Sequence, residues 1–128
     1  MRIQVVAGIL RQLDGRVLLA ERKNDRPFNG LWEFPGGKTH AAETPEQALR
    51  RELTEELDVD ITQFELLVSV DHDYADRLVH IDFFLATEWR GDIRAMDGQA
   101  LRWILPADIR ESEILPADVA VVDVLKSR

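Results

Sequence analysis

Three glutamates in the span 44–57, Glu52, Glu55 and Glu56, are the residues of this sequence best placed to do chemistry. In a helix of 3.6 residues per turn they fall within one turn of each other, beside a buried stripe made by Leu49, Leu53 and Leu57. Carboxylates so spaced repel by roughly a few tenths of a kcal/mol per pair. They also sit near the helix carboxyl end, where the macrodipole already disfavours negative charge. A cation relieves both penalties, and oxygen-only donors suit a hard ion, Mg²⁺ or Mn²⁺, that keeps waters and shares phosphate oxygens with a substrate. The plain alternative is a solvated acidic face. What favours the ion is the preceding Pro35-Gly36-Gly37-Lys38, expected as a tight backbone turn that lets carbonyls and amides approach a ligand closely.

The elements that must position these groups are legible in outline. Thr44 is an N-cap, Pro45 suits the first helical position and Gln47 completes a capping box, so the helix start is well marked. Residues 3–11 and 16–22 are β-rich runs around Asp14-Gly15 and predict an opening hairpin. Residues 23–38 predict a long ordered loop anchored by Leu31, Trp32 and Phe34. Residues 64–73 and 78–89 predict two strands about a turn at 74–77, and residues 100–105 another. Pro106-Ala107-Asp108 and Pro116-Ala117-Asp118 echo one another as helix starts, the second running on to Lys126 as an apolar helix.

With 128 residues, 45% of them hydrophobic, the chain is expected to form a single domain over residues 1–128 with its own core. Sixteen basic against 24 acidic residues give a formal charge of −8, which argues against a nucleic-acid or membrane partner. An acidic protein that handles phosphates must borrow positive charge, and a metal supplies it. The absence of cysteine rules out disulfides and thiolate zinc, and a reducing, cytoplasmic setting is expected. Residues 1–10 carry an apolar run broken by Gln4 and Gly8, too short to span a bilayer and without a clear cleavage region, and read as a first strand.

Gly37, Glu43, Arg51, Glu52, Leu53, Glu55, Glu56 and Val59 follow the spacing G-x5-E-x7-R-E-U-x-E-E-x-G-U, with Asp58 in place of the last glycine. This is the signature of the Nudix box, and the chain resembles that family. Gly8, the segment Trp32-Glu33-Phe34-Pro35-Gly36-Gly37-Lys38, Trp103 and Pro116-Ala117-Asp118 resemble its MutT branch over nearly the whole length. The resemblance implies an α/β (α+β) Nudix fold, a mixed β-sheet core sandwiched between helices. Asp58 is expected to cost a little stability, because glycine tolerates the left-handed helix end better.

The same resemblance implies a metal site of Glu52, Glu55, Glu56 and the Gly36 carbonyl. It also implies substitution at phosphorus by water, in line with a pyrophosphate leaving group, giving nucleoside monophosphate and pyrophosphate. Metal lowers the pKa of bound water and a carboxylate accepts the proton, with Glu52 the first choice of base. Asp97, before Gly98, falls where MutT relatives often add an acid to the metal site, and an ordinary Asp-Gly turn explains it equally well. Glu43 and Arg51 are expected to orient the loop and the glutamates by ion pairing.

Arg22 and Lys38 are candidates for phosphate oxygens, against the alternative of solvated basic residues. Phe34 and Tyr74 are candidates to flank a base, with a core anchor the alternative for Phe34. Asp118, if ionised, only accepts hydrogen bonds and suits guanine N1–H and its amino group; protonated, it can donate to cytosine N3 while accepting from N4. A plain helix-start acid is the alternative, and Asp108 is an example without a ligand. MutT proteins specific for oxidised guanine typically carry asparagine at the place of Asp118, whereas related cytidine triphosphate pyrophosphatases have Pro-Ala-Asp. His40, His72 and His80 lack metal-ligand spacing with each other.

The expected function is Mg²⁺- or Mn²⁺-dependent nucleoside triphosphate pyrophosphohydrolysis, sanitising the nucleotide pool, with 8-oxo-dGTP the first substrate to test and CTP or 5-methyl-dCTP the second. A non-catalytic nucleotide sensor of the same family is opposed by the three retained glutamates, and ADP-sugar hydrolysis by Tyr74 where many such enzymes have proline. A small acidic protein-contact domain explains the charge but neither the glycine segment nor the capped helix. The state of association is expected to be monomer or homodimer.

Overall fold

The computed structural model describes residues 2–23 and 28–127. Its strands are β1 (Arg2–Leu10), β2 (Val17–Glu21), β3 (Trp32–Glu33), β4 (Gly36–Lys38), β5 (Asp60–Asp73), β6 (Leu78–Arg90) and β7 (Leu101–Ile104), with helices α1 (Pro45–Leu57) and α2 (Val119–Lys126). Short 3₁₀ turns occupy Pro106–Asp108, Glu111–Glu113 and Pro116–Asp118. The strands form a mixed four-stranded sheet in the order β4-β1-β6-β5 and a three-stranded sheet in the order β3-β2-β7. β1 runs parallel to β6, and the other strand–strand ladders are antiparallel.

The central strands are covered on both faces, which is why residues 5–10 read as an almost unbroken apolar run. Val6 and Leu10 join Ala48, Leu49, Leu53 and Leu57 of α1 in one cluster. Ala7 and Ile9 face Phe83, Val121, Val122 and Leu125 in the other, under α2. The stripe of Leu49, Leu53 and Leu57 is fully buried, as its four-residue spacing predicts. The capping box is formed: Thr44 Oγ1 accepts the Gln47 N–H at 3.1 Å and Gln47 Oε1 accepts the Thr44 N–H at 3.0 Å.

Four expectations are corrected. The chain does turn at Asp14-Gly15, with a single Arg11–Val17 bridge, but β1 and β2 do not form a hairpin ladder. Arg11 already donates to Ala86 of β6 at 3.0 Å while β2 pairs with β3 and β7, because two faces to bury require two sheets. Within the expected loop 23–38, Trp32–Glu33 and Gly36–Lys38 are strands, one in each sheet, and residues 24–27 lie outside the described residues. Pro35-Gly36-Gly37-Lys38 is therefore not a tight turn, and neither glycine has a positive φ. Of the two Pro-Ala-Asp segments only the second continues into a helix, and the first is a 3₁₀ turn that stops at Ile109.

β5 and β6 extend past the predicted ends and join through a turn in which the Tyr74 N–H donates to the Arg77 carbonyl at 3.0 Å. α1 ends at Asp58 in the left-handed region, φ 59° and ψ 37°, as expected of the glycine position. The loop after β6 then satisfies the last carbonyls of α1: Arg94 donates to Leu57 at 2.9 Å and Met96 to Glu56 at 3.0 Å. No helix among the described residues is long and apolar enough to cross a membrane.

Candidate active site

Glu52, Glu55 and Glu56 occupy the last turn and a half of α1, and the head groups of Glu52 and Glu55 are organised around an arginine. Arg51 Nη1 donates to Glu52 Oε1 at 3.0 Å and to Glu55 Oε2 at 3.3 Å. Its Nε and Nη2 form a fork on Glu43 at 2.7 and 3.0 Å, and Nη2 also reaches the Lys38 carbonyl at 3.1 Å. The Arg51 hydrogen bond, helped by the His40 N–H, holds the Glu43 carboxyl down at about 2. The same Glu43 contact raises Arg51 above its ordinary value. Glu52 is mostly buried with 14% of its side chain exposed, Glu55 is open at 58%, and Glu56 is half-buried.

The expected convergence of Glu52, Glu55, Glu56 and Asp97 is thus incomplete. Among the described residues, no three acidic or imidazole side chains are gathered tightly enough to grip a cation as they stand. Asp97 follows Met96, whose N–H holds the Glu56 carbonyl, and Gln99 Nε2 donates to that same carbonyl at 3.3 Å. The acid is therefore near the end of α1, but it is exposed, and its backbone carbonyl accepts from Lys23 Nζ.

The glycines of β4 are explained by close approach. A Cβ on Gly36 would stand 2.0 Å from the Val6 carbonyl oxygen, and one on Gly37 would stand 2.6 Å from the Glu52 carboxylate. β4 also forms a wall of a cavity of about 360 Å³, on the α2 side of the sheet, to which Val5, Ala7, Ile81, Phe34, Tyr74 and Asp118 contribute. A single three-residue strand touches both the Glu52 carboxylate and this cavity.

Asp118 is the only buried charged residue among the described residues, with 4% exposure. It caps nothing in α2; its Oδ2 accepts the Phe34 N–H at 3.2 Å instead. Burial pushes its carboxyl up to about 8, with Glu33 adding to the rise while the Phe34 N–H and the Arg22 charge oppose it. At neutral pH it is a neutral acid, one donor beside one acceptor. Asp108, in the echoing segment, is exposed.

Phe34 packs edge-on against Phe83 at 6.1 Å between centroids, so its ring is both core anchor and cavity lining. Tyr74 lies against His72 and Phe28, with centroids 4.4 and 5.5 Å away, and its Oη accepts the Ala117 N–H at 3.2 Å. Burial raises the Tyr74 phenol above its usual value. Arg22 lines the cavity but is ion-paired with Glu33 at 2.8 Å, and Lys38 stands exposed at the rim. Sequence reasoning missed Arg77, Phe28 and Glu33 as lining residues. Arg77 could have been suspected from its place in the turn with Tyr74, whereas the Arg22–Glu33 pair depends on the β2–β3 register and leaves no sequence signal.

The NUDIX domain family matches over residues 1–124. The chain belongs to the NUDIX family. An 8-oxo-dGTP diphosphatase of Proteus vulgaris is 43% identical over 97 residues, covering 76% of this chain and 87% of that protein. A CTP pyrophosphohydrolase of Escherichia coli K12 is 36% identical over 121 residues, 94% of this chain and 89% of the relative. A MutT structure, from work on Aliivibrio salmonicida and Vibrio cholerae, superposes with a TM-score of 0.84 at 34% identity and covers both chains completely. The mixed α+β architecture described above is accordingly that of a Nudix domain. Within it, the Nudix box runs from the strand Gly37 occupies to Val59, and the Arg51–Glu43 fork closes the segment between them back onto α1.

Proposed function

We propose that this Nudix domain is a nucleoside triphosphate pyrophosphohydrolase, splitting NTP and water into NMP and pyrophosphate, with the whole of residues 1–128 acting as one catalytic domain in the cytoplasmic nucleotide pool. The observation that carries the reading is β4, whose Gly37 abuts the Glu52 carboxylate while Gly36, Gly37 and Lys38 line the Asp118 cavity. A base held in the cavity puts its phosphate chain against the glycines, and thus against the glutamates. The names borne by the Proteus vulgaris and Escherichia coli relatives support the same activity.

Nudix hydrolases generally use a divalent metal. The donor set here suits Mg²⁺ or Mn²⁺: three carboxylates on one helix turn, no sulfur or imidazole among them, and a glycine leaving space where a Cβ would strike Glu52. Glu52, Glu55, Glu56 and the Gly36 carbonyl would hold the ion, with Asp97 a further candidate. Bound there, it would neutralise phosphate charge and acidify a water. The chain's own residues do the rest. Arg51 aligns Glu52 and Glu55 through its hydrogen bonds, Glu52 serves as the proton acceptor, and Lys38 meets phosphate oxygens as a point charge.

Asp118 and Phe34 are the base-reading residues of this proposal, with Arg22 held beside them by Glu33. 8-oxo-dGTP is the first substrate. CTP or 5-methyl-dCTP is a second reading that the neutral Asp118 specifically favours, since its O–H and C=O match cytosine N3 and the N4 amino group. A triphosphate panel with Mg²⁺, scored by pyrophosphate release and kcat/KM, tests the proposal. Glu52→Gln and Glu56→Gln should each abolish turnover with the fold retained; undiminished metal-dependent hydrolysis in both would defeat it.

A further inference from the structure

We propose that Tyr74 is a positioning residue for base discrimination, its hydroxyl fixing the backbone turn that presents Asp118 to the cavity. This rests on the reading that Asp118 contacts the base, and it replaces the role of Tyr74 as a platform for stacking. Its ring already packs against His72 and Phe28, so aromatic contact is supplied from within the protein.

The turn Pro116–Asp118 has few ties of its own. Its internal hydrogen bonds run from the Asp118 N–H to the Leu115 carbonyl at 2.9 Å and from the Val119 N–H to the Pro116 carbonyl, and no side chain caps α2 behind it. One flank is tied to the β3 side, where the Leu115 N–H donates to the Trp32 carbonyl at 3.0 Å. The tie across the cavity to the β5–β6 turn is Tyr74 Oη, accepting the N–H of Ala117, the residue immediately before Asp118.

Ala117 is 1% exposed, so water cannot readily replace the hydroxyl if it is removed. The carboxyl of Asp118 is hydrogen-bonded to the Phe34 N–H at 3.2 Å, near the long end of the normal range, so a small shift of the turn changes that contact. His72 and Phe28 fix the phenol ring, the phenol fixes the turn, and the turn aims the acid. None of these contacts touches α1, so the device bears on which base is held and not on the glutamates.

The test measures dissociation constants of CMP and 8-oxo-dGMP by titration calorimetry, which needs no turnover, in the wild-type chain, Tyr74→Phe, Tyr74→Leu, Asp118→Ala and the double variant Tyr74→Phe/Asp118→Ala. Melting temperatures control for folding. Tyr74→Phe should bring the ratio of the two constants toward unity by about five- to tenfold, the coupling expected within one hydrogen-bonded network. Tyr74→Leu should do the same, and Tyr74→Phe should add nothing once Asp118 is alanine. A ratio kept by phenylalanine but lost with leucine would assign the effect to the ring and overturn the proposal, as would equal weakening of both ligands. If Asp118→Ala leaves the ratio intact, the base-reading role of Asp118 falls and this inference falls with it. If Asp118→Ala collapses the ratio and Tyr74→Phe does not, only the inference falls.

Discussion

Replacing Asp118 by asparagine should stabilise the folded chain at neutral pH and do nothing for it in acid. Burial disfavours the ionised form and pushes the carboxyl up to about 8 in the folded state from its ordinary 3.8. With the folded value the higher one, the native state binds more protons across the interval, so stability falls as pH rises from about 4 to about 8. Each pH unit in that window removes about 1.4 kcal/mol, so the cumulative cost at pH 7 is at most about 4 kcal/mol. Against a typical total of about 5–15 kcal/mol that is a large share. Asparagine keeps an oxygen for the Phe34 N–H and carries no charge to bury. Urea unfolding of both chains at pH 4, 5, 6, 7 and 8 reads the difference directly. The expected gain is near zero at pH 4 and widens to several kcal/mol at pH 7. A difference independent of pH, or one that grows toward acid, would refute the account of Asp118 as a buried neutral acid.

The charge state of Asp118 should also govern substrate choice: kcat/KM for CTP relative to 8-oxo-dGTP should fall from pH 7 to pH 9, approaching about tenfold per unit above pH 8, because a carboxylate faces the N3 lone pair of cytosine but still accepts from guanine N1–H. Taking the ratio cancels titrations common to both substrates, and Asp118→Asn should flatten it. Gly37→Ala should lower kcat/KM by about 100-fold with little change in melting temperature, since the new Cβ displaces the flexible end of Glu52. Gly36→Ala should instead destabilise the fold by about 2 kcal/mol or more in urea unfolding, because its Cβ meets the Val6 backbone. Asp58→Gly should raise stability by about 0.5–1 kcal/mol with activity unchanged, by relieving a left-handed residue and removing a negative charge at the end of α1.

What the sequence made legible was whatever local physics decides. Thr44, Pro45 and Gln47 mark the start of α1 and the Leu49-Leu53-Leu57 spacing marks its buried face without reference to the rest of the chain, whereas its end at Asp58 is legible through the glycine that the Nudix box places there. β5 and β6 declare themselves by composition, although their ends are set by pairing with each other. The separation of β1 from β2 was not legible, because a hairpin signal at Asp14-Gly15 is satisfied locally while the strands on either side are claimed by different sheets. Gly36 and Gly37 read as glycines for close approach to a ligand in a turn, whereas in the fold they sit in a strand and the close neighbours are the Val6 backbone and the Glu52 carboxylate. Arg51 was expected to orient the glutamates, but its simultaneous hold on Glu43, Glu52, Glu55 and the Lys38 carbonyl is a three-dimensional fact. The burial that makes Asp118 a neutral acid depends on α2 and the β3–β4 segment closing over it, and two identical Pro-Ala-Asp triplets could not reveal which one is covered.

The glutamates proposed for hydrolysis and the residues proposed to read the base lie in parts of the molecule that share little packing. α1 is anchored in the cluster containing Val6, Leu10 and Leu18, whereas the turn before α2 is anchored through Ala117, Val121 and Val122 in the cluster on the opposite face. Adjacent residues of β1, Val6 and Ala7, point into different clusters, so a change on one face need not be felt on the other. Sites without shared partners are close to additive. An acid that costs stability can therefore be kept beside Phe34 without disturbing the Arg51–Glu52 contact. Asp118→Asn should therefore retune the cavity and leave the glutamate turn as it is. β4 is the exception, because it belongs to both: Gly37 touches Glu52 and lines the cavity. It is also the element with least room to vary, since even a methyl group at either glycine collides with something the activity or the fold requires.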